Sequence, residues 1–102
     1  MKCYEGRREG YAVIVTVDGR RLDPRHDLWN HSPSGFEWGY GGSGPAQLAL
    51  AILADHCSND AEALDCYQQF KTTVIAKLPQ GAWSLTRAEI TQVRHALLEE
   101  VA

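Results

Sequence analysis

The stretch EWGYGGSGPAQLALAIL, residues 37–53, decides how the chain is to be read. Gly39, Gly41 and Gly44 match a G-x-G-x-x-G pattern, and Pro45 to Leu53 follows with the composition of a helix. In a dinucleotide-binding unit such glycines lie between a buried parallel strand and a helix, and a second parallel strand ends in an acid that holds the ribose. Here the segment after Leu53 returns to helical spacing, so Asp60 and Glu62 fall at a helix start and not at a strand tip. Pro45 also removes one of the N–H donors that would face a pyrophosphate. No lysine follows Gly44 as a phosphate loop requires, and Pro45 stands where a nucleophile elbow at Ser43 needs glycine. The glycines therefore read as a sharp turn into a helix, packed against Trp38 and Tyr40, whose exposed amides offer a place for an anion or a partner peptide.

Downstream, the pattern predicts three helices. The first starts at Pro45, with Ser43 or Gly44 as cap, and ends near His56. Leu48, Ala49, Ile52 and Leu53 form its stripe, and alanine and leucine nearly all round imply burial on most of its surface. Ser58-Asn59-Asp60 supplies a break and the next cap. The second helix is expected from Ala61 to Leu78, with Leu64, Tyr67, Phe70, Val74, Ile75 and Leu78 at helical spacing and Pro79 as its stop. Thr86-Arg-Ala-Glu89 is a capping box for the third, clamped by Leu85 and Ile90 and continued by Val93, Leu97 and Val101.

Upstream, Tyr11 to Val17 is rich in β-branched residues, and Asp18-Gly19 marks a tight hairpin leading into Arg20-Arg21-Leu22. Lys2 to Glu5 reads as a short edge strand, with Arg7 to Gly10 as its turn. Gly35 to Trp38 alternates like a further strand, with Phe36 and Trp38 on one face. Between them, Asp23 to Ser34 is an irregular, ordered loop. The expected fold class is α+β: a small N-terminal antiparallel sheet of three or four strands packed against three α-helices, in one domain over residues 1–102.

A hydrophobic fraction of 44% and a charged fraction of 23% place the chain among globular proteins and away from intrinsic disorder. Ten basic residues stand against thirteen acidic ones, and the deficit lies in residues 46–102, with four basic and seven acidic side chains. An acidic helical half repels phosphate backbones, so nucleic-acid binding is disfavoured; a DNA contact would have to use Arg20, Arg21 and Arg25. The longest apolar run, Leu48 to Ala54, is too short to cross a bilayer, and no apolar leader follows Met1. Cys3, Cys57 and Cys66 leave one thiol unpaired under any intramolecular scheme. Free thiols and a cytoplasmic location are the expectation, with no membrane partner.

His26, His31, His56 and the three cysteines form no C-x-x-C or H-x-x-x-H pair, and the adjacent His56-Cys57 is a poor geometry for two ligands of one metal, so neither a metal nor another cofactor is expected. Cys57 and Cys66 read as core thiols beside the turn between the first two helices. Asp27, His31 and Ser32, or Asp23, His26 and Ser43, have the residue types of a catalytic triad, but nothing local fixes the distances. Asp23 and Asp27 read instead as turn caps, and His26 or His31 as the partner of a buried carbonyl.

The block LDPRHDLWNHSPSGFEWGYGGSGPAQLALAILADH, Leu22 to His56, together with YQQFKTTVIAKLP at Tyr67 to Pro79 and Trp83 beyond it, resembles a family of short uncharacterised proteins. Its members look scattered among bacteria, haloarchaea, plasmids and phages. The resemblance marks His31 to Pro45 as the signature loop and implies an accessory role. By analogy with small acidic phage proteins, that role is a non-enzymatic, anti-CRISPR-like inhibitor that masks a surface of a host defence complex. The residues expected to bind are Trp29, His31, Glu37, Tyr40, Gly41, Gly42 and Ser43. The alternative is a small nucleotide- or anion-binding protein that uses the Gly39 to Gly44 loop. Exposure of Trp29, Tyr40 or Trp83 would mark the interface.

Overall fold

Strand β1 (Cys3–Glu9) lies at the centre of the sheet because it finds a partner on each side. The computed structural model describes residues 2–101, and the side chains of residues 2–97. β2 (Ala12–Val17) pairs with β1 in unbroken antiparallel register from Tyr4↔Val17 to Glu9↔Ala12. β3 (Arg20–Arg21) extends the other side of β2 through the Asp18-Gly19 turn, whose φ angles of 50° and 82° are those of a tight hairpin. β4 (Trp83–Thr86) closes the far side of β1, giving an antiparallel sheet in the order β3-β2-β1-β4. The expected edge strand Lys2 to Glu5 is thus a longer, central one, and Arg7 to Glu9 belong to it instead of to a turn.

The fourth strand is Trp83–Thr86, not Gly35 to Trp38. The latter segment has no ladder partner; Phe36 and Trp38 pack against the core as a cover. Trp83 reaches the core face of the sheet because Gly6, directly opposite, has no side chain; a Cβ there would overlap the indole.

Three helices follow: α1 (Ser43–Cys57), α2 (Asp60–Thr73) and α3 (Arg87–Val101). α1 starts two residues before Pro45, which sits in the first turn where its missing N–H is not needed, and Gly42 is the cap. Every residue from Gly44 to Ala54 is buried, as expected of so apolar a helix. Asn59 caps α2 by accepting from the Glu62 amide at 3.1 Å. α2 ends at Thr73, earlier than expected, and Ile75–Lys77 continues as a single 3₁₀ turn that keeps Ile75 inside. Leu64 faces outward and Ala63 takes the inward position. The Thr86 and Glu89 capping box forms in both directions at the start of α3, with Ile90 buried behind it. Val101 lies outside the described side chains.

The core joins Tyr4, Val15, Val17 and Trp83 of the sheet to α1, Phe70 and Ile90. At its margin the Tyr4 hydroxyl donates to Asp55 at 2.6 Å, and Lys2 donates to the same carboxylate oxygen at 2.9 Å. Burial pushes the Tyr4 phenol far up and the Asp55 carboxylate keeps it there. Cys57 and Cys66 are free thiols at the edge of the core, not within it. Among the described residues no helix is long and apolar enough to cross a membrane.

Candidate functional site

A single polar side chain in α1 organises the loop that carries the candidate residues. Gln47 is completely buried, and its amide is fully used. Its Nε2 donates to the carbonyls of Pro24 at 2.6 Å and Trp29 at 3.0 Å, while Oε1 accepts from the amides of His31 at 2.8 Å and Ser32 at 3.1 Å. The loop is fastened to the helix on both sides of Trp29. Arg25 adds a tether to α2, its guanidinium spanning Asp27 and Asp60.

Above this base, His31 Nε2 lies 2.6 Å from the Tyr67 hydroxyl, and the indole of Trp29 stacks on the imidazole with ring centroids 5.7 Å apart. Burial, and then the charge of Lys71, hold the His31 ring below its ordinary pKa, so it is neutral at neutral pH. Trp29 is left 56% exposed on a fixed support.

The second half of the loop is held from the sheet. Both terminal guanidinium nitrogens of Arg8 donate to the Glu37 carboxylate, at 2.9 and 3.1 Å, and Arg8 Nε donates to the Gln80 carbonyl at 2.7 Å. The same guanidinium lies 4.4 Å over the Trp38 ring, whose Nε1 donates to the carbonyls of Gln80 and Gly81. Hydrogen bonding to Arg8 draws the Glu37 carboxyl below its usual range, which makes Glu37 a strut and a poor proton acceptor. Gly39 takes φ 86° and donates to the Ile75 carbonyl at 3.0 Å, turning the chain so that Tyr40 points out, 50% exposed. Gly42 sits under the Tyr40 ring, Gly44 against Glu37, and Gly41 and Ser43 stand open to solvent.

Neither triad grouping assembles. Asp27 is engaged by Arg25, and His31 by Tyr67; Asp23 accepts from the Arg25 amide as a turn cap. His26 Nε2 donates to the Ser32 carbonyl at 2.9 Å, so His26 is the histidine that satisfies a carbonyl. Among the described residues no three His, Cys, Asp or Glu side chains converge as a metal site would need. The glycines lack the dinucleotide context as well, since no strand leads directly into them and the sheet is antiparallel throughout. Of the three tryptophan and tyrosine markers, Trp29 and Tyr40 are exposed and Trp83 is buried.

The model of a family of unknown function (DUF6166) matches residues 4–96, which take in the sheet, the loop and all but the end of α3. The chain belongs to that family. No curated protein and no solved structure matches it.

In this DUF6166 chain, sequence reasoning missed Arg8, Gln47, Tyr67 and Gln80 as supports of the loop. Gln47 carried a signal, being the lone polar side chain in the buried run from Gly44 to Ala54. A buried amide must find partners, and the irregular loop was the one segment rich in unpaired backbone groups. Arg8 and Gln80 carried none, because their roles depend on residues 29 and 42 positions away.

Proposed function

We propose that the chain is a non-enzymatic protein-binding accessory protein. It masks a surface of a larger complex, acting as a phage or mobile-element counter-defence factor of the anti-CRISPR kind. One observation carries the reading: Trp29 and Tyr40, 56% and 50% exposed, are presented by a loop that Gln47 and Arg8 hold in place from beneath. Large aromatics on a rigid backbone contribute contact area at little entropic loss on binding. The supporting side chains are consumed in structure: Glu37 by Arg8, His31 by Tyr67 and Asp27 by Arg25, which leaves little for acid, base or nucleophile chemistry. The anion-binding alternative is weaker, because Pro45 supplies no N–H and the Glu37 side chain lies against Gly44.

The test is affinity capture of the tagged protein in a lysate of its host, repeated with a Trp29→Ala/Tyr40→Ala variant. A stoichiometric protein of a defence complex, lost with the variant, supports the reading. Capture that survives the double substitution, or none at all, overturns it. Stabilisation by a panel of nucleotides that disappears in Gly42→Val would transfer the assignment to the glycine loop.

A further inference from the structure

On the side away from β1, strand β2 is left without a neighbour over half its length. β3 spans two residues, pairing only with Thr16 and Val17, and one further bond runs from the Leu22 amide to the Val15 carbonyl at 3.0 Å. The chain then turns away at Asp23-Pro24, which ends the ladder. That Val15 bond fixes the parity of β2: the backbone groups of odd residues point away from β1, so the N–H and C=O of Val13 face outward. Among the described residues they have no hydrogen-bond partner.

Three of the devices that usually blunt an edge are absent from Tyr11 to Val15. The register of β1 with β2 is one to one from Tyr4 to Glu9, without a bulge, and Tyr11-Ala-Val-Ile-Val15 holds no proline and no charge. Facing this edge is not solvent but a wall, the segment Ser32 to Glu37, and between the two lies a groove of about 560 Å³. The wall is fixed at both ends, by Gln47 and His26 at Ser32 and by Arg8 at Glu37, so it stands off from β2 and leaves the edge open.

We propose that this groove takes a short, extended, acidic segment of a partner protein, added to the sheet as a strand beside Val13. The backbone of Val13 supplies the pairing, and Val13, Val15 and Phe36 supply apolar walls for alternate side chains of the segment. The charge of the groove selects an acid: Glu37 is neutralised by Arg8, whereas Arg21, exposed and also lining it, has no ion-pair partner among the described residues. A second copy of this chain suits the groove less well. Its β2 comes with Arg20 and Arg21 paired alongside, so it brings charge of like sign to Arg21 of the groove. The site is independent of Trp29 and Tyr40 and stands whether or not those residues bind.

The experiment uses two terminally blocked hexapeptides, VEVEVE and VKVKVK, titrated into the isotope-labelled protein and followed by backbone amide shifts. Shifts centred on Tyr11, Val13 and Phe36 are expected with VEVEVE, and weaker binding with VKVKVK. Val13→Pro removes the outward N–H without touching a β1 bond, and should weaken VEVEVE by about tenfold while the remaining spectrum stays native. Arg21→Glu, an exposed change, should reverse the preference between the peptides. Shifts elsewhere, equal binding of both peptides, indifference to Val13→Pro, no binding, or self-association through Val13 would each overturn the proposal.

Discussion

Gln47 Oε1 accepts a hydrogen bond from the His31 amide at 2.8 Å, joining a completely buried helix position to the base of an exposed aromatic stack. This bond is one of four, and no other side chain on α1 reaches the same four backbone groups.

Gln47→Leu keeps the volume and removes all four bonds. The carbonyls of Pro24 and Trp29 and the amides of His31 and Ser32 then lose their partner. Unfolding in urea should show a loss of about 2–4 kcal/mol, the range for unsatisfied groups that are only partly rehydrated. A change within error would mean that water replaces the amide without penalty.

Gly6 and Trp83 form a matched pair, an absent side chain beneath a buried indole. Gly6→Ala should destabilise by about 1–3 kcal/mol through overpacking. Trp83→Leu in the same chain should absorb part of that loss, giving a favourable coupling in a double-mutant cycle. Simple additivity of the two changes would show that the contact is not limiting.

Acid should weaken the fold in two stages. His31 and His56 are both held below the ordinary 6.5, His31 by burial and Lys71, His56 by burial and the neighbouring Arg94, Arg87 and Lys2. The unfolded chain therefore binds protons that the folded chain refuses, so their contribution is complete above 6.5 and is lost as pH falls through the lower folded values. A second loss follows in the carboxylate range. Arg8 depresses Glu37; at Asp55, burial opposes the shift and the Tyr4 and Lys2 hydrogen bonds outweigh it. Urea midpoints measured from about pH 7.5 down to about pH 5 should fall, and a His31→Gln/His56→Gln chain should show a flatter slope over that range. A level profile for the parent protein would contradict the assignment.

Trp29→Ala and Tyr40→Ala should change stability little, by about 0.5–1 kcal/mol each, since half of each ring is already in water and the Trp29 stack on His31 is the main loss. Thermal melts that stay within a few degrees of the parent would leave any loss of partner capture attributable to the surface itself.

Local signals in the sequence were read correctly where local chemistry decides the outcome. Asp18-Gly19 makes its hairpin, Thr86 and Glu89 make their box, and the apolar run after Pro45 is a buried helix. The fourth strand escaped because Trp83 to Thr86 becomes a strand only by pairing with Cys3 to Gly6, some eighty residues earlier. Phe36 and Trp38 alternate as a strand would, yet they cover the core without a ladder, so alternation reported burial and not pairing. α2 was overextended because a 3₁₀ turn keeps nearly the same apolar spacing as the helix it follows. At the site, the sequence leaves open which of Trp29, Tyr40 and Trp83 is exposed, and the props beneath Trp29 and Tyr40 are hidden in long-range contacts.

The central position of β1 sets an order of events during synthesis. Its hairpin with β2 can form as soon as Cys3 to Val17 has left the ribosome, but the other side of β1 stays bare until Trp83 to Thr86 has been translated. Through that interval the nascent chain carries two open strand edges, one of which the finished molecule closes by itself.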